Sequence, residues 1–174
     1  MRYYIHILLP EGLRNAVLAV EKEYQGKSKS DPRITIIPPG VLIKEWSEQE
    51  LIDAIRGAVK YSNRPLIAET GVGHFENREG DKETIYIDIQ RTPTLLWLHR
   101  SLVDAVADIL KPSDSLFADL SIPHITLVTR LSPERGEEAW TALKDKSFFS
   151  FFFADALSLI GSIKFEVVPF QPVF

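Results

Sequence analysis

The chain has no cysteine, which excludes thiol catalysis, disulfides and cysteine-based metal sites. It also lacks an excess of positive charge: 20 Lys and Arg stand against 24 Asp and Glu, a net charge of −4. That balance argues against a generic binder of long nucleic acid, whose affinity comes largely from many Lys and Arg contacts to phosphate. It leaves open the recognition of a single nucleotide or an RNA end. No apolar stretch approaches membrane-span length without polar breaks, and Met1 to Pro10 is too short and interrupted for a signal peptide. A cytoplasmic protein with no membrane association is the expectation. The histidines are scattered without metal-ligand spacing, so no metal is expected, and no other cofactor.

What the chain does have is the mixed composition of an ordinary globular protein and enough length for one well-formed core. One monomeric domain over residues 1–174, with two lobes, is expected. The lobes are suggested by a repeat. Ser121-Ile122-Pro123-His124-Ile125-Thr126-Leu127 echoes Ser30-Asp31-Pro32-Arg33-Ile34-Thr35-Ile36 about half a chain earlier. In each copy a proline disfavours helix for the residue before it, and the apolar and β-branched residues that follow favour a strand. Strand alternation then puts His124 and Thr126 on one face and Ile125 and Leu127 on the other, with Arg33 and Thr35 as the equivalent pair. Related by a pseudo-two-fold axis, the two pairs face one another across a cleft. Two hydroxyls, one imidazole and one guanidinium suit a phosphate group.

The remaining elements fit this frame. Arg2 to Leu9 reads as a strand with Tyr3, Ile5, Ile7 and Leu9 inward and Tyr4, His6 and Leu8 on the other face. Leu13, Ala16, Val17, Val20 and Tyr24 recur at helical spacing. The Arg33 strand is expected to end at Pro38-Pro39-Gly40. Ser47 and Glu50 form a capping box ahead of a second helix bearing Leu51, Ile55, Ala58 and Val59. Leu66 to Phe75 and Thr84 to Gln90 read as a hairpin with a long loop. Thr92-Pro93 opens a third helix, carried by Leu95, Leu98, Leu102, Val106 and Ile109 as far as Lys111-Pro112, with His99 on its surface. Ser132-Pro133 opens a fourth, with Ala139, Trp140 and Leu143 inside. Phe148 to Ile160 and Lys164 to Phe170 read as two closing strands, and the phenylalanine run is too apolar to be left exposed. The order gives an α+β fold: a bilobal, pseudo-two-fold duplicated chain in which antiparallel sheets line a central cleft and helices pack outside.

The element order, the opening Tyr4-Ile5-His6-Ile7-Leu8-Leu9-Pro10 ahead of a helix, and the paired proline-containing motifs resemble the two-histidine phosphoesterase superfamily. That superfamily includes RNA 2′,5′-ligase-like proteins and 2′,3′-cyclic nucleotide phosphodiesterases. The resemblance spans nearly the whole chain, including the closing strands around Leu157 to Phe170. It implies two His-x-Thr/Ser motifs meeting in a cleft without a metal. One histidine would act as general base and the other as general acid, while the hydroxyls hold phosphate oxygens. His124 and Thr126 match the second motif. In the first, Arg33 stands where the family has histidine, followed by the expected Ile34 and Thr35.

Arginine stays protonated at any working pH and cannot serve as a base. It can pair bidentately with phosphate and stabilise developing negative charge. The resemblance therefore implies a phosphoesterase acting on 2′,3′-cyclic phosphate ends or 2′,5′ linkages of RNA or small nucleotides, with altered or impaired activity. The alternative is a catalytically silent protein that binds a nucleotide or RNA end in the same cleft. The expected catalytic set is His124, Thr126, Thr35 and Arg33. Arg33 also binds substrate, and its plainer reading is a salt bridge to Asp31. Arg130 shares strand parity with His124. His6 and Tyr4 lie on the cleft face of the first strand, and His6 is the candidate to replace the missing histidine. Phe75 either lies beside a base, as stacking rings do in single-strand binders, or plugs its loop into the core.

Overall fold

Apolar residues alternating with polar ones in the strands, and recurring every three to four residues in the helices, bury one face of a sheet against one stripe of each helix. The computed structural model describes residues 2–24, 31–60, 62–76, 83–113, 123–161 and 165–170. The loops expected at 25–30, 77–82 and 114–122 lie outside the described residues, as do the first residues of both motifs. The elements are β1 (Tyr3–Leu8), α1 (Glu11–Glu23), β2 (Arg33–Leu42), α2 (Glu48–Lys60), β3 (Leu66–Glu76) and β4 (Glu83–Ile89). They continue with α3 (Pro93–Val106), β5 (Leu110–Pro112), β6 (His124–Leu131), α4 (Pro133–Leu143), β7 (Phe151–Phe153), β8 (Ala156–Ile160) and β9 (Phe165–Pro169).

The strands form one antiparallel sheet in the order β7-β3-β4-β6-β2-β1-β8-β9, with β5 paired to β2 off this path. The two motif strands, β6 and β2, are neighbours at its centre and meet at Ile34 opposite Ile125. Around that point the halves match in detail. β1 meets β2 as Ile5 opposite Ile37 and His6 opposite Thr35, which leaves Ile36 as an extra residue. β4 meets β6 as Ile85 opposite Val128 and Tyr86 opposite Thr126, which leaves Leu127 extra. A β-bulge of this kind puts two neighbouring side chains on one side. Ile36 with Ile37, and Leu127 with Val128, are accordingly all buried. Corresponding bulges at corresponding positions are the structural form of the sequence repeat.

The helices lie on the face that carries these residues. α1, which follows β1, packs against β6 of the other half, and α3, which follows β4, packs against β2. Each half thus helps cover the other's motif strand. Ile34, Ile125, Leu13, Val17, Leu95, Leu98 and Leu102 belong to one buried cluster, where each large aliphatic side chain contributes about 1.5–3 kcal/mol. The capping box is present: Ser47 N–H and Oγ both reach Glu50 Oε2, at 2.8 and 2.7 Å, and Glu50 N–H returns to Ser47 Oγ. Thr92 caps α3 by accepting from Leu95 N–H.

Four expectations are corrected. β2 does not end at Pro38-Pro39-Gly40 but runs through it, because a second irregularity between Ile37 and Gly40 accommodates the prolines, which have no N–H for the ladder. α3 stops at Val106, and the residues beyond it turn into β5 to pair with the end of β2. His99 is buried, on the inner side of α3, because its ring shares the stripe of Leu95 and Leu102. The segment 148–160 is two short strands, and its phenylalanines are not all inside: Phe151 is 63% and Phe153 50% exposed, while Phe152 packs on the core.

Candidate phosphate-binding cleft

Residues directly opposite in an antiparallel ladder point to the same face. His124 lies opposite Asp88 and Thr126 opposite Tyr86 on one side, while Arg33 lies opposite Leu8 and Thr35 opposite His6 on the other. All of them therefore stand on the face away from the helices. Continuing the register from Ile34 and Ile125 sets Thr35 across from His124 and Arg33 across from Thr126. The register thus places His124, Thr126, Thr35 and Arg33 on one face of the two neighbouring motif strands, around the pseudo-two-fold centre.

His124 is walled by aromatic rings. Tyr86 lies 5.3 Å from it between centroids and Phe75 6.0 Å away, edge-on, while Phe75 and Tyr86 are 5.2 Å apart. Phe75 is 42% exposed, so it belongs to this wall and is not a plug in the core. Its neighbour His74 faces the other way and packs on Trp140. Tyr86 leans over Gly73, where a Cβ would stand 2.5 Å from its Cζ, so the glycine is what lets the ring lie flat on β3. Burial, and then the Asp88 carboxylate, push the Tyr86 phenol up, so it stays a protonated donor. Thr70 Oγ1 donates to Asp88 Oδ2 at 2.8 Å. Tyr86 was missed by reasoning from sequence. Its polar strand face was visible, but its place beside His124 depends on the pairing of β4 with β6.

The opposite wall is different. Tyr4 stacks on His6 with centroids 5.8 Å apart and planes 15° apart. His6 is only 3% exposed, and burial followed by the Arg33 charge lowers its pKa to about 3. It is neutral at working pH and too weak a base to replace the missing histidine, which corrects that expectation. Its cross-strand partner in β8 is Ser158, which is fully buried. Among the described residues, neither His6 Nδ1 nor Ser158 Oγ has a hydrogen-bond partner.

Arg33 is half-buried. Burial lowers its pKa, and Asp31 and Tyr4 oppose that; the guanidinium remains charged. Asp31 is ion-paired with Arg14 at 3.0 Å and also acts on Arg33 through its charge. Arg130 is exposed and has a φ of 63°. The bulge at Leu127 breaks the alternation that placed it with His124, and Thr129 takes the cleft side instead, its hydroxyl 2.9 Å from Thr84 Oγ1. No helix among the described residues is long and apolar enough to cross a membrane.

The same architecture occurs in solved structures. Kluyveromyces marxianus Usb1 superposes with a TM-score of 0.57 at 11% identity over 97% of both chains, and its structure with uridine monophosphate with 0.53 over the same shares. E. coli LigT complexed with 3′-AMP gives 0.55 at 14% identity over 98% of this chain and 94% of that one. No curated protein sequence matches the chain. A family model does: that of the 2′-5′ RNA ligase superfamily covers residues 10–162, and the chain belongs to this superfamily.

Proposed function

We propose that the cleft is a phosphoesterase site for RNA ends or small nucleotides bearing a 2′,3′-cyclic phosphate or a 2′,5′ linkage, working with a single imidazole. The observation that carries this reading is the pairing of the two motif strands, whose register puts His124, Thr126, Thr35 and Arg33 on the same sheet face. Arg33 grips two phosphate oxygens in a fork and meets the charge that builds as phosphorus becomes five-coordinate. Thr35 and Thr126 donate to the remaining oxygens. In hydrolysis of a cyclic phosphate, water adds to phosphorus and the bond to one ribose oxygen breaks. His124 takes the proton from the water or gives one to the departing oxygen, and solvent handles the other transfer. Losing one general acid or base lowers the rate about 10²–10⁴-fold, so turnover is slow.

The ligands in the neighbouring structures, uridine monophosphate and 3′-AMP, support a nucleotide of this size. Phe75 and Tyr86 offer the base a ring to stack on. One monomeric domain, cytoplasmic and without metal or cofactor, remains the reading.

A second reading is favoured by the His6 pKa near 3 beside a permanent cation. With Arg33 a permanent cation and His6 buried, the first half offers no second exposed imidazole among the described residues, and the cleft binds the nucleotide and does not turn it over. Cleavage of a short RNA ending in a 2′,3′-cyclic phosphate, by the unaltered protein at high concentration and by His124→Ala, separates the two. Turnover lost in the alanine variant supports the enzyme. Binding without turnover supports the silent receptor, and neither binding nor turnover removes both.

A further inference from the structure

The cleft face of the sheet does not end at the aromatic wall beside His124. Leu66 and Ala68, two turns of the pleat beyond Gly71 on β3, lie opposite Phe153 and Phe151 of the edge strand β7, while Ile67 lies opposite Phe152. Ile67 and Phe152 belong to the helix-side core. By alternation, Phe151 and Phe153 stand on the opposite face, which is that of Tyr86, Asp88 and His124. Burial sorts them the same way, since both are at least half exposed and Phe152 is not. Two neighbouring phenylalanine rings left in water forgo the gain of burial, and exposed apolar surface of this kind marks contact sites.

We propose that Phe151 and Phe153 form a second stacking subsite of the same cleft, for bases of a single-stranded RNA upstream of the nucleotide whose phosphate sits at His124. This rests on the phosphate-site reading above. Three strand spacings separate β6 from β7, about 14 Å across the sheet, which is beyond the terminal nucleotide and within reach of those preceding it. The ring centroids are 6.4 Å apart and the planes nearly perpendicular at 81°, so one face and one edge are presented side by side. Stacking accepts any base, which fits a path that holds RNA without reading its sequence. Continuity with the cleft on one sheet face favours RNA over a peptide or a second copy pairing along β7. Arg64, hydrogen-bonded to the carbonyls of Phe153 and Ala154 and ion-paired with Asp155, fastens the end of β7 to the segment before β3. The substrate class this implies is an oligoribonucleotide.

The test compares a ribonucleoside 3′-monophosphate with a six-nucleotide RNA ending in a 3′-phosphate, binding measured by calorimetry. The unaltered protein is expected to hold the hexamer at least tenfold more tightly. In Phe151→Ser/Phe153→Ser that advantage falls about tenfold or more, while the mononucleotide binds as before. Both side chains are exposed, so the double variant keeps its fold, which circular dichroism checks. Equal affinity for the two ligands, or a double variant that keeps the advantage, overturns the proposal. A dimer in sedimentation that the double variant dissolves also overturns it, by assigning the surface to a second copy. Mononucleotide binding indifferent to Arg33→Ala fails the phosphate site itself, a different result from loss of the length effect alone.

Discussion

The two halves of the sheet share their bulges and register but not their chemistry. Around His124 the second half has a partly exposed imidazole, a phenol held protonated, and a glycine that lets the tyrosine ring lie down. At the equivalent places the first half has Arg33, a neutral buried His6 and a buried Ser158. One half carries an imidazole on the cleft face and the other a fixed positive charge. Backbone geometry can be duplicated while function is divided, because the pairing of strands is set by the buried isoleucines and valines, and the cleft side chains are free of that constraint.

The most direct way to break the difference is to make the halves alike. Arg33→His restores an imidazole across from Thr126, and cleavage of a cyclic-phosphate RNA is expected to rise at least tenfold and toward the 10²-fold worth of a second acid or base. A folded but inert variant would mean that His124 is not poised for catalysis. A second way to break the comparison is the acid response of His6. Its folded pKa of about 3 lies below the usual value of 6.5, so the unfolded chain binds the extra proton. The stability from keeping His6 neutral is therefore complete above pH 6.5 and is lost as the pH falls from 6.5 toward 3, by as much as about 5 kcal/mol. Denaturant melts from pH 7 to 4 should show that slope, and His6→Gln should show a shallower one. Equal slopes would sink the assignment.

Much of this asymmetry was legible in the chain. The echo of Arg33-Ile34-Thr35 in His124-Ile125-Thr126 gave both strands and their cleft faces, since alternation is a property of the backbone alone. Ser47 with Glu50, and Thr92 with Pro93, marked helix starts through local hydrogen bonding. What stayed hidden needed neighbours distant in sequence. Pro38-Pro39 reads as a stop until β5 and a bulge are seen to accommodate it. Arg130 shares parity with His124 only if Leu127 is not an extra residue. The burial of His6 and the exposure of Phe151 and Phe153 were not foreseen either, because a strand's own sequence does not say what covers its faces.

Removing the fixed charge tests how the two halves depend on each other. Arg33→Ala gives up a charged hydrogen-bonding fork on phosphate, worth about 1.5–3 kcal/mol, so nucleotide affinity should drop about tenfold to a hundredfold. The same change removes one of the two causes that hold His6 neutral, and its pKa, followed by NMR, should rise from about 3 without reaching 6.5, because burial is the larger cause. An unmoved His6 would show that the guanidinium does not face it.

The smallest expected effect lies in the other half, at Gly73. Its counterpart by register is Ser158, since Gly73 lies opposite Tyr86 as Ser158 lies opposite His6. A Cβ is tolerated beside the shorter imidazole, whereas at Gly73 it would meet the tyrosine ring at 2.5–2.7 Å. In Gly73→Ala the ring must swing off its rotamer at a cost of about 0.5–1.5 kcal/mol, and part of the wall against His124 goes with it. Turnover or nucleotide affinity should then fall by about tenfold or less. The decisive control is Tyr86→Leu: once the ring is gone, adding Gly73→Ala should change nothing further, as a coupled pair requires. If the two substitutions add, the glycine serves the backbone of β3 and not the ring, and the likeness between the two halves at this position is only one of register.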